Sequence, residues 1–420
     1  MYHFIYPSKD AYIYELNTNS EKNFGSDESL VLKKDFDGTS LNGVSRVLLH
    51  FDVSELSQSI VSGEILTTSK YYLRLYEQKT SELSPTYQLD AFPLSQSWSG
   101  GTGHTTQNPN NKDGVSWART DENFDDTNWS VSVTPVTFND YNFTFDSASS
   151  YFRTFGAESG SRPTTGGGVW YVNEDDVDVY SSGNGYEASQ SFSYESPDIN
   201  MDITDIVNNW LDTSIPNNGL ILKWNDTQEN STEYTGDINF FSSNAQSIYS
   251  PKIEARWDEH NNDYTGTFED YGEEFEEGTG TFEYPDIPEI NPVTIDGTDD
   301  NYMFMIGLRK TYKETEKPRF RIAGRERYQT KTVSTTKSTP SNKLVPHGSG
   351  SYSILDVETG ETLIPFGEHS LLSTDLKSNY FKLKLDGFIN NRSYRILLRL
   401  RLNDGRYRIF DDSFNFKVIK

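Results

Sequence analysis

The sequence has no cysteine, which excludes disulfides, a thiolate nucleophile and thiolate metal sites. Its six histidines are His3, His50, His104, His260, His347 and His369. No two stand at i, i+2 or i, i+4, so no local metal motif exists. No apolar run approaches the roughly 20 residues that a membrane span needs, and no membrane partner is expected. The opening Met1-Tyr2-His3-Phe4-Ile5-Tyr6-Pro7 lacks the basic and apolar regions of a signal peptide. This predicts a protein made in a cytosol, and either kept there or built into a particle that later leaves the cell. Sequons such as Asn142-Phe143-Thr144 then carry no meaning.

Catalytic signatures are missing as well. Gly348-Ser349-Gly350 after His347 lacks the G-x-S-x-G spacing of a nucleophile elbow and reads as a turn. No Lys-Ser/Thr follows Gly166-Gly167-Gly168, so it is not a phosphate loop. Carboxylates are everywhere, so no glycosidase pair stands out; Asp175, Asp176 and Asp178 read as solvated loop residues. The expectation is a non-enzyme with no catalytic, cofactor-binding or metal-binding residues.

The hydrophobic share, 34%, is low, while aromatics reach 14%. Most are the 26 Tyr and 25 Phe, which favour strands. Gly, Ser, Thr, Asn and Asp recur between short apolar runs, so the chain reads as all-β, with many short strands joined by turns. At 420 residues it should hold two or three domains.

Charge divides the chain. Residues 301–420 hold 22 Lys and Arg against 12 Asp and Glu, a net +10, whereas the first 300 hold 15 against 51, a net −36. Such asymmetry marks either a docking surface at one end or two opposite-charge domains leaning on each other.

The first domain spans residues 1–257. Strands read at Asp10–Glu15, Ser29–Lys33, Ser45–Asp52, Lys70–Tyr76, Leu220–Trp224, Asn239–Ser243 and Lys252–Trp257. One short helix reads within Met201–Leu211, where Ile206, Val207, Trp210 and Leu211 share a face and Asp202 or Thr204 can cap it. A Gly-, Asn- and Ser-rich insertion covers about 97–195; loops of that length are functional or locally ordered. Residues 258–289 carry 12 acidic residues and no Lys or Arg, a self-repelling flexible linker. Calcium is the alternative there, but the EF-hand pattern is absent. The last domain, 290–420, has the size of an immunoglobulin-like β-sandwich. Its strands read at Tyr302–Ile306, Arg319–Ile322, Ser351–Asp356, Tyr380–Leu385, Ser393–Leu400 and Phe414–Val418. Several outward positions on them are Lys or Arg, which also discourages edge pairing.

Four tryptophans sit in the insertion: Trp98, Trp117, Trp129 and Trp170. They read first as local core plugs. The alternative is carbohydrate stacking, with Trp98, Trp117 and Trp170 as the platform. Nucleic acid is not an expected partner: the basic charges of the last domain are scattered over strands, and the rest of the chain is acidic.

Several stretches carry a resemblance when taken in order. These are Asp10-Ala11-Tyr12 with Asn23-Phe24-Gly25-Ser26-Asp27, then Ser45-Arg46-Val47-Leu48-Leu49-His50-Phe51-Asp52, then Val115-Ser116-Trp117, then Met201–Val207 through Asn218–Lys223, with Tyr249–Ala255 closing. In this order they resemble the DNRLRE-type β-jelly-roll modules, which include alginate-binding modules of bacterial surface proteins. The 97–195 insertion departs from that pattern, so no binding residue carries over. The whole arrangement is also similar to virion structural proteins of tailed bacteriophages. That likeness rests on Gln96–Gly103, Gly114–Trp117, Gly166–Tyr171 and the acidic linker before a second β-domain. It implies a non-enzymatic virion component, such as a capsid decoration, neck, collar or tail accessory, present in several copies or as a homo-oligomer. Other virion proteins would be its partners, docked through the basic last domain. The alternative it implies is a carbohydrate-binding protein that recognises host-surface polysaccharide.

Overall fold

The computed structural model describes residues 1–15, 21–36, 41–108, 110–123, 129, 135–138, 141–145, 151–154, 166–171, 186–194, 196–231, 236–260, 301–327, 343–345, 348–375, 377–401 and 405–420. The chain forms two compact units, Phe4–Ala255, and Arg256–Lys420 with Met1–His3. The expected boundary after residue 257 thus moves to 255, and Met1–His3 group with the second unit. Of the linker, only 258–260 lie among the described residues, and Glu259 there pairs with Lys382 at 2.6 Å.

The first unit takes in the end of β1 (Tyr2–Ile5), then β2 (Pro7–Tyr14), β3 (Ser29–Phe36), β4 (Leu41–Phe51), α1 (Ser54–Val61), β5 (Lys70–Leu75), β6 (Glu77–Ser81) and β7 (Thr86–Pro93). The insertion supplies β8 (Pro135–Phe138), β9 (Tyr141–Phe145), β10 (Tyr151–Thr154) and β11 (Val169–Tyr171). The unit finishes with β12 (Ala188–Ser193), β13 (Ile199–Asp202), α2 (Thr204–Leu211), β14 (Leu220–Trp224), α3 (Asp226–Asn230), β15 (Gly236–Phe241) and β16 (Lys252–Arg256).

A short sheet runs β1-β16-β5-β13, and a long one β12-β7-β14-β4-β3-β15-β6 with β2 on β4. β4 and β14 are the centre of the long sheet, in register Leu220↔Leu49 and Leu222↔Val47. Val47, Leu48, Leu49, Leu220, Ile221 and Leu222 are all fully buried. An unbroken apolar run is what a strand covered on both faces requires. The insertion is not all loop, since β8 to β11 form a four-stranded antiparallel sheet that meets β7 through a bridge from Trp170 to Leu94.

The expected helix is α2, with Ile206, Val207 and Trp210 buried and the Asp202 carboxylate accepting the Thr204 amide at 2.9 Å. A single short helix is expected from the sequence; among the described residues there are three. Short polar α1 is started by the Asp52 carboxylate, which accepts the Ser54 amide at 2.9 Å, and it buries Leu56. In α3 the Asn225 side chain accepts the Thr227 amide at 3.0 Å.

The second unit comprises β17 (Asn301–Ile306), β18 (Thr311–Lys313), β19 (Arg319–Glu326), β20 (Gly350–Asp356), β21 (Thr362–Ile364), β22 (Ser373–Thr374), β23 (Asn379–Lys382), β24 (Ser393–Arg401) and β25 (Tyr407–Ile419). They make two sheets, β17-β19-β23-β22 and β18-β25-β24-β20-β21, with β18 parallel to β25. Rings from both sheets meet between them: Phe320 lies 5.2 Å from Phe416, and Tyr352 stacks on Phe381 at 3.9 Å. The Tyr394 hydroxyl donates to the Ile389 carbonyl at 3.1 Å, the upstream bond made by the tyrosine corner of immunoglobulin-like sandwiches. The strand expected over Tyr380–Leu385 stops at Lys382, although Leu383 and Leu385 remain buried. The chain is all-β, as its composition implied.

Candidate functional site

The tryptophans of the insertion are buried, as their first reading as core plugs has it, and the alternative stacking platform of Trp98, Trp117 and Trp170 has no exposed ring. Trp98 is 5% exposed, Trp117 6% and Trp170 3%. The Trp98 indole N–H donates to the Asn218 carbonyl at 3.0 Å, and the Lys9 ammonium stands 4.5 Å from its ring. The Arg46 guanidinium packs 4.7 Å from Trp117 and 5.2 Å from Trp170, which also meets Phe92 at 5.8 Å. Trp129, 6% exposed, donates to the Ser116 carbonyl at 3.0 Å. The stacking role is therefore corrected: these rings pin the insertion to the long sheet. The physical reason is that Trp98, Trp117 and Trp170 are buried against Lys9 or Arg46, and cation–π contact strengthens out of water.

Beneath Trp117 and Trp170 lies a buried ionic network. Arg46 Nε stands 2.9 Å from Glu229 Oε1, and Lys223 Nζ 3.0 Å from Glu229 Oε2. All three side chains are fully buried. The Arg46 guanidinium also donates to the Gly167 carbonyl. Gly167 has φ +84°, and a Cβ there would sit 2.6 Å from Arg46 Nη1, so glycine is required for this approach. Lys34 Nζ donates to the Ser231 carbonyl at 2.6 Å. Asp90, raised in pKa by burial despite bonds from Gln88 and Asn225, flanks the group. No substrate reaches these charges, so their work is structural.

Two stretches singled out in the sequence meet at Asn23. Its Nδ2 donates to the carbonyls of Gly100 and Val115, each at 2.8 Å. Its Oδ1 accepts from Gly25 N at 3.1 Å and Gly103 N at 2.7 Å. Nearby, Asp27 accepts the Thr105 amide at 2.9 Å, and His104 Nε2 lies 3.0 Å from Glu28 and 3.3 Å from Asp27. The Glu28 bond holds the His104 pKa above its ordinary value. This is a loop scaffold whose polar groups answer one another.

The reachable chemistry of the first unit lies on the short sheet. In β5 and β13, Leu73, Leu75, Ile199 and Met201 are buried, and the alternate positions Tyr72, Arg74, Asn200 and Asp202 face outward, in register Arg74↔Asn200 and Tyr72↔Asp202. Arg74 Nε lies 3.6 Å from Glu254 Oε1 and its guanidinium 5.3 Å from the Tyr76 ring. Burial works against the charge on Arg74, but Glu254 and Tyr76 reverse the balance and raise its pKa. Lys252 behaves likewise: desolvation opposes its charge, and Tyr76, Tyr6 and Glu254 more than offset it. Lys252 is enclosed between Phe4 at 5.0 Å and Tyr76 at 5.1 Å. From Tyr76 an aromatic run continues outward, edge-on to Tyr249 at 5.4 Å, which stacks on Phe241 at 5.2 Å. Tyr249 and Phe241 are half-buried.

This seam offers half-exposed ring faces beside a guanidinium, an amide and a carboxylate. The rings can pack against the C–H face of a pyranose, and the polar groups can donate to and accept from its hydroxyls. The tryptophan motifs drew attention away from it. Its one signal in the sequence was the alternation Tyr72-Leu73-Arg74-Leu75-Tyr76. Asp175, Asp176, Asp178 and His347 lie outside the described residues, and Gly348 to Gly350 lead into β20 as a turn. Among the described residues no group of three or more His, Asp or Glu could hold a metal ion, and no helix is long and apolar enough to cross a membrane.

Residues 1–154 match the model of carbohydrate-binding module family 96. No curated protein matches the chain. The matched stretch stops short of β11 to β16, so all three sheets of the first unit are completed by strands beyond it.

Proposed function

We propose that the chain is a non-catalytic polysaccharide-binding protein whose binding surface is the seam of Tyr72, Arg74, Phe241 and Tyr249. The observation that carries this reading is the pair of half-exposed rings, Phe241 and Tyr249, joined to Arg74 through Tyr76, on a unit whose first part matches a carbohydrate-binding module. The test is affinity electrophoresis of the full chain in gels containing soluble polysaccharides, neutral and acidic. A retarding polysaccharide is expected, and Tyr249→Ala and Arg74→Ala should each weaken retardation about tenfold, the loss of one 1.4 kcal/mol contact. Unchanged retardation in both variants removes the seam from the reading.

A second reading places this binding protein on the virion of a tailed phage, in several copies, with host-surface polysaccharide as ligand and neighbouring virion proteins as partners. It is favoured by the uneven charge: a net +10 over residues 301–420 against −36 before them. Immunogold microscopy of purified particles, with antiserum to residues 1–257, tests it. Label at one location supports the reading; clean particles alongside free protein in the lysate reject it.

A further inference from the structure

The outward face of the five-stranded sheet in the second unit carries a group of side chains unlike the rest of the surface. On β24, buried Tyr394, Ile396, Leu398 and Leu400 alternate with outward Arg395, Leu397, Arg399 and Arg401. Arg399 stands opposite Ile409, and Arg401 opposite Tyr407. Tyr407 is 60% and Ile409 56% exposed. The Arg399 guanidinium lies 4.8 Å from both the Phe366 and Tyr407 rings, and its Nε donates to Ser351 Oγ at 3.2 Å. Its planar fork is thus held in one orientation before any partner arrives. Neither Arg399 nor Arg401 has a carboxylate partner among the described residues.

A fixed arginine, a large exposed tyrosine and an exposed aliphatic side chain make up the composition of a protein interface centre. A polysaccharide offers nothing apolar to Ile409, and nucleic acid would meet the −36 of the remaining chain. The fitting partner is a protein surface that brings carboxylates around an apolar middle. The chain itself supplies the complement. Residues 1–257 hold 15 Lys and Arg against 36 Asp and Glu. We infer that this face is a self-association surface, and that it takes the acidic N-terminal region of a second copy. Two different surfaces meet in such a contact, so it is head-to-tail and generates rings or open strings of molecules. The net −26 of each copy opposes association at long range. Near about 0.15 M salt that repulsion is screened beyond about 8 Å, whereas the close pairs keep their attraction. The inference does not depend on the polysaccharide reading.

Sedimentation velocity of the full chain, at micromolar concentrations and about 0.15 M salt, tests it. The sedimentation coefficient should rise with concentration, and fall back in about 1 M salt, where screening reaches contact range. Arg401 is exposed and has no carboxylate partner among the described residues, so Arg401→Glu keeps the fold; the variant should weaken association at least about tenfold. Ile409→Asp, also on the surface, should do the same. Labelled parent should still capture the Arg401→Glu chain, which retains its acidic region. A parent that is monomeric at every concentration overturns the inference. Variants that associate like the parent overturn it too. Failure of the parent to capture the variant overturns the head-to-tail assignment.

Discussion

In the first unit Lys34, Arg46, Lys223 and Lys252 are all at most 3% exposed, and each is answered by a carboxylate, a carbonyl or a ring. In the second unit the arginines of β24 stand outside, Arg399 stacked on rings and Arg401 in water. Burying a cation costs several kcal/mol unless geometry and hydrogen bonds return it, and the first unit makes that return through Glu229. An arginine on a sheet face costs little to keep, and its charge remains available to a partner. The same residue type therefore fastens loops in one sandwich and presents a surface in the other. Neither function can be assigned by counting charges.

The sharpest way to break this contrast is to remove its shared anion. Glu229→Ala takes from Arg46 its 2.9 Å carboxylate partner and from Lys223 its 3.0 Å one. Stranding buried charge in this way should destabilise the first unit by about 3–5 kcal/mol. Denaturant unfolding, followed by the fluorescence of Trp117 and Trp170, reads the loss directly, because both rings rest on Arg46. Arg399→Ala in the second unit removes half-exposed cation–π contacts and the bond to Ser351 Oγ, and should cost about 1 kcal/mol. Equal losses from the two substitutions would end the distinction. A loss below about 1 kcal/mol for Glu229→Ala would show that the network is not what fastens the insertion.

Much of this architecture was legible in the sequence, for definite reasons. β4, β14 and β24 are runs of Val, Leu and Ile with turns at their ends, and local pattern decides such strands. α2 was legible because four apolar residues share a helical face above an Asp cap. α1 was missed because Ser54–Val61 is polar and gains its place from Asp52 and from burial of Leu56 alone. The tryptophans read first as core plugs, and they are buried, but the alternative of a platform stayed open because exposure depends on what packs against a side chain from afar. Trp117 and Trp170 are covered through Arg46, which sits on β4. The seam was hard to read for the same reason: Arg74, Phe241 and Tyr249 come from separate stretches, and only the fold joins them.

A smaller effect sharpens the contrast within the first unit, between two histidines. His104 is a quarter exposed and lies against Glu28 and Asp27; its bond to Glu28 raises its pKa. His50, near Lys9, is pushed the other way by burial first and by Lys9 second. A histidine whose folded pKa is raised contributes stability that is complete below its ordinary pKa. That stability is lost as pH rises through the folded value. The clasp between the 104–107 turn and residues 27–28 should therefore hold in mild acid and relax above neutrality, while His50 is indifferent there because it has already lost its proton. Titration of the two imidazoles by NMR in the full chain should place the His104 midpoint above 6.5 and the His50 midpoint below it. Glu28→Gln should lower the His104 midpoint and leave His50 in place, since Glu28 bonds only the former. If His104 titrates at or below His50, the clasp does not form in solution, and Asn23 and the Asp27–Thr105 bond order the loops without it.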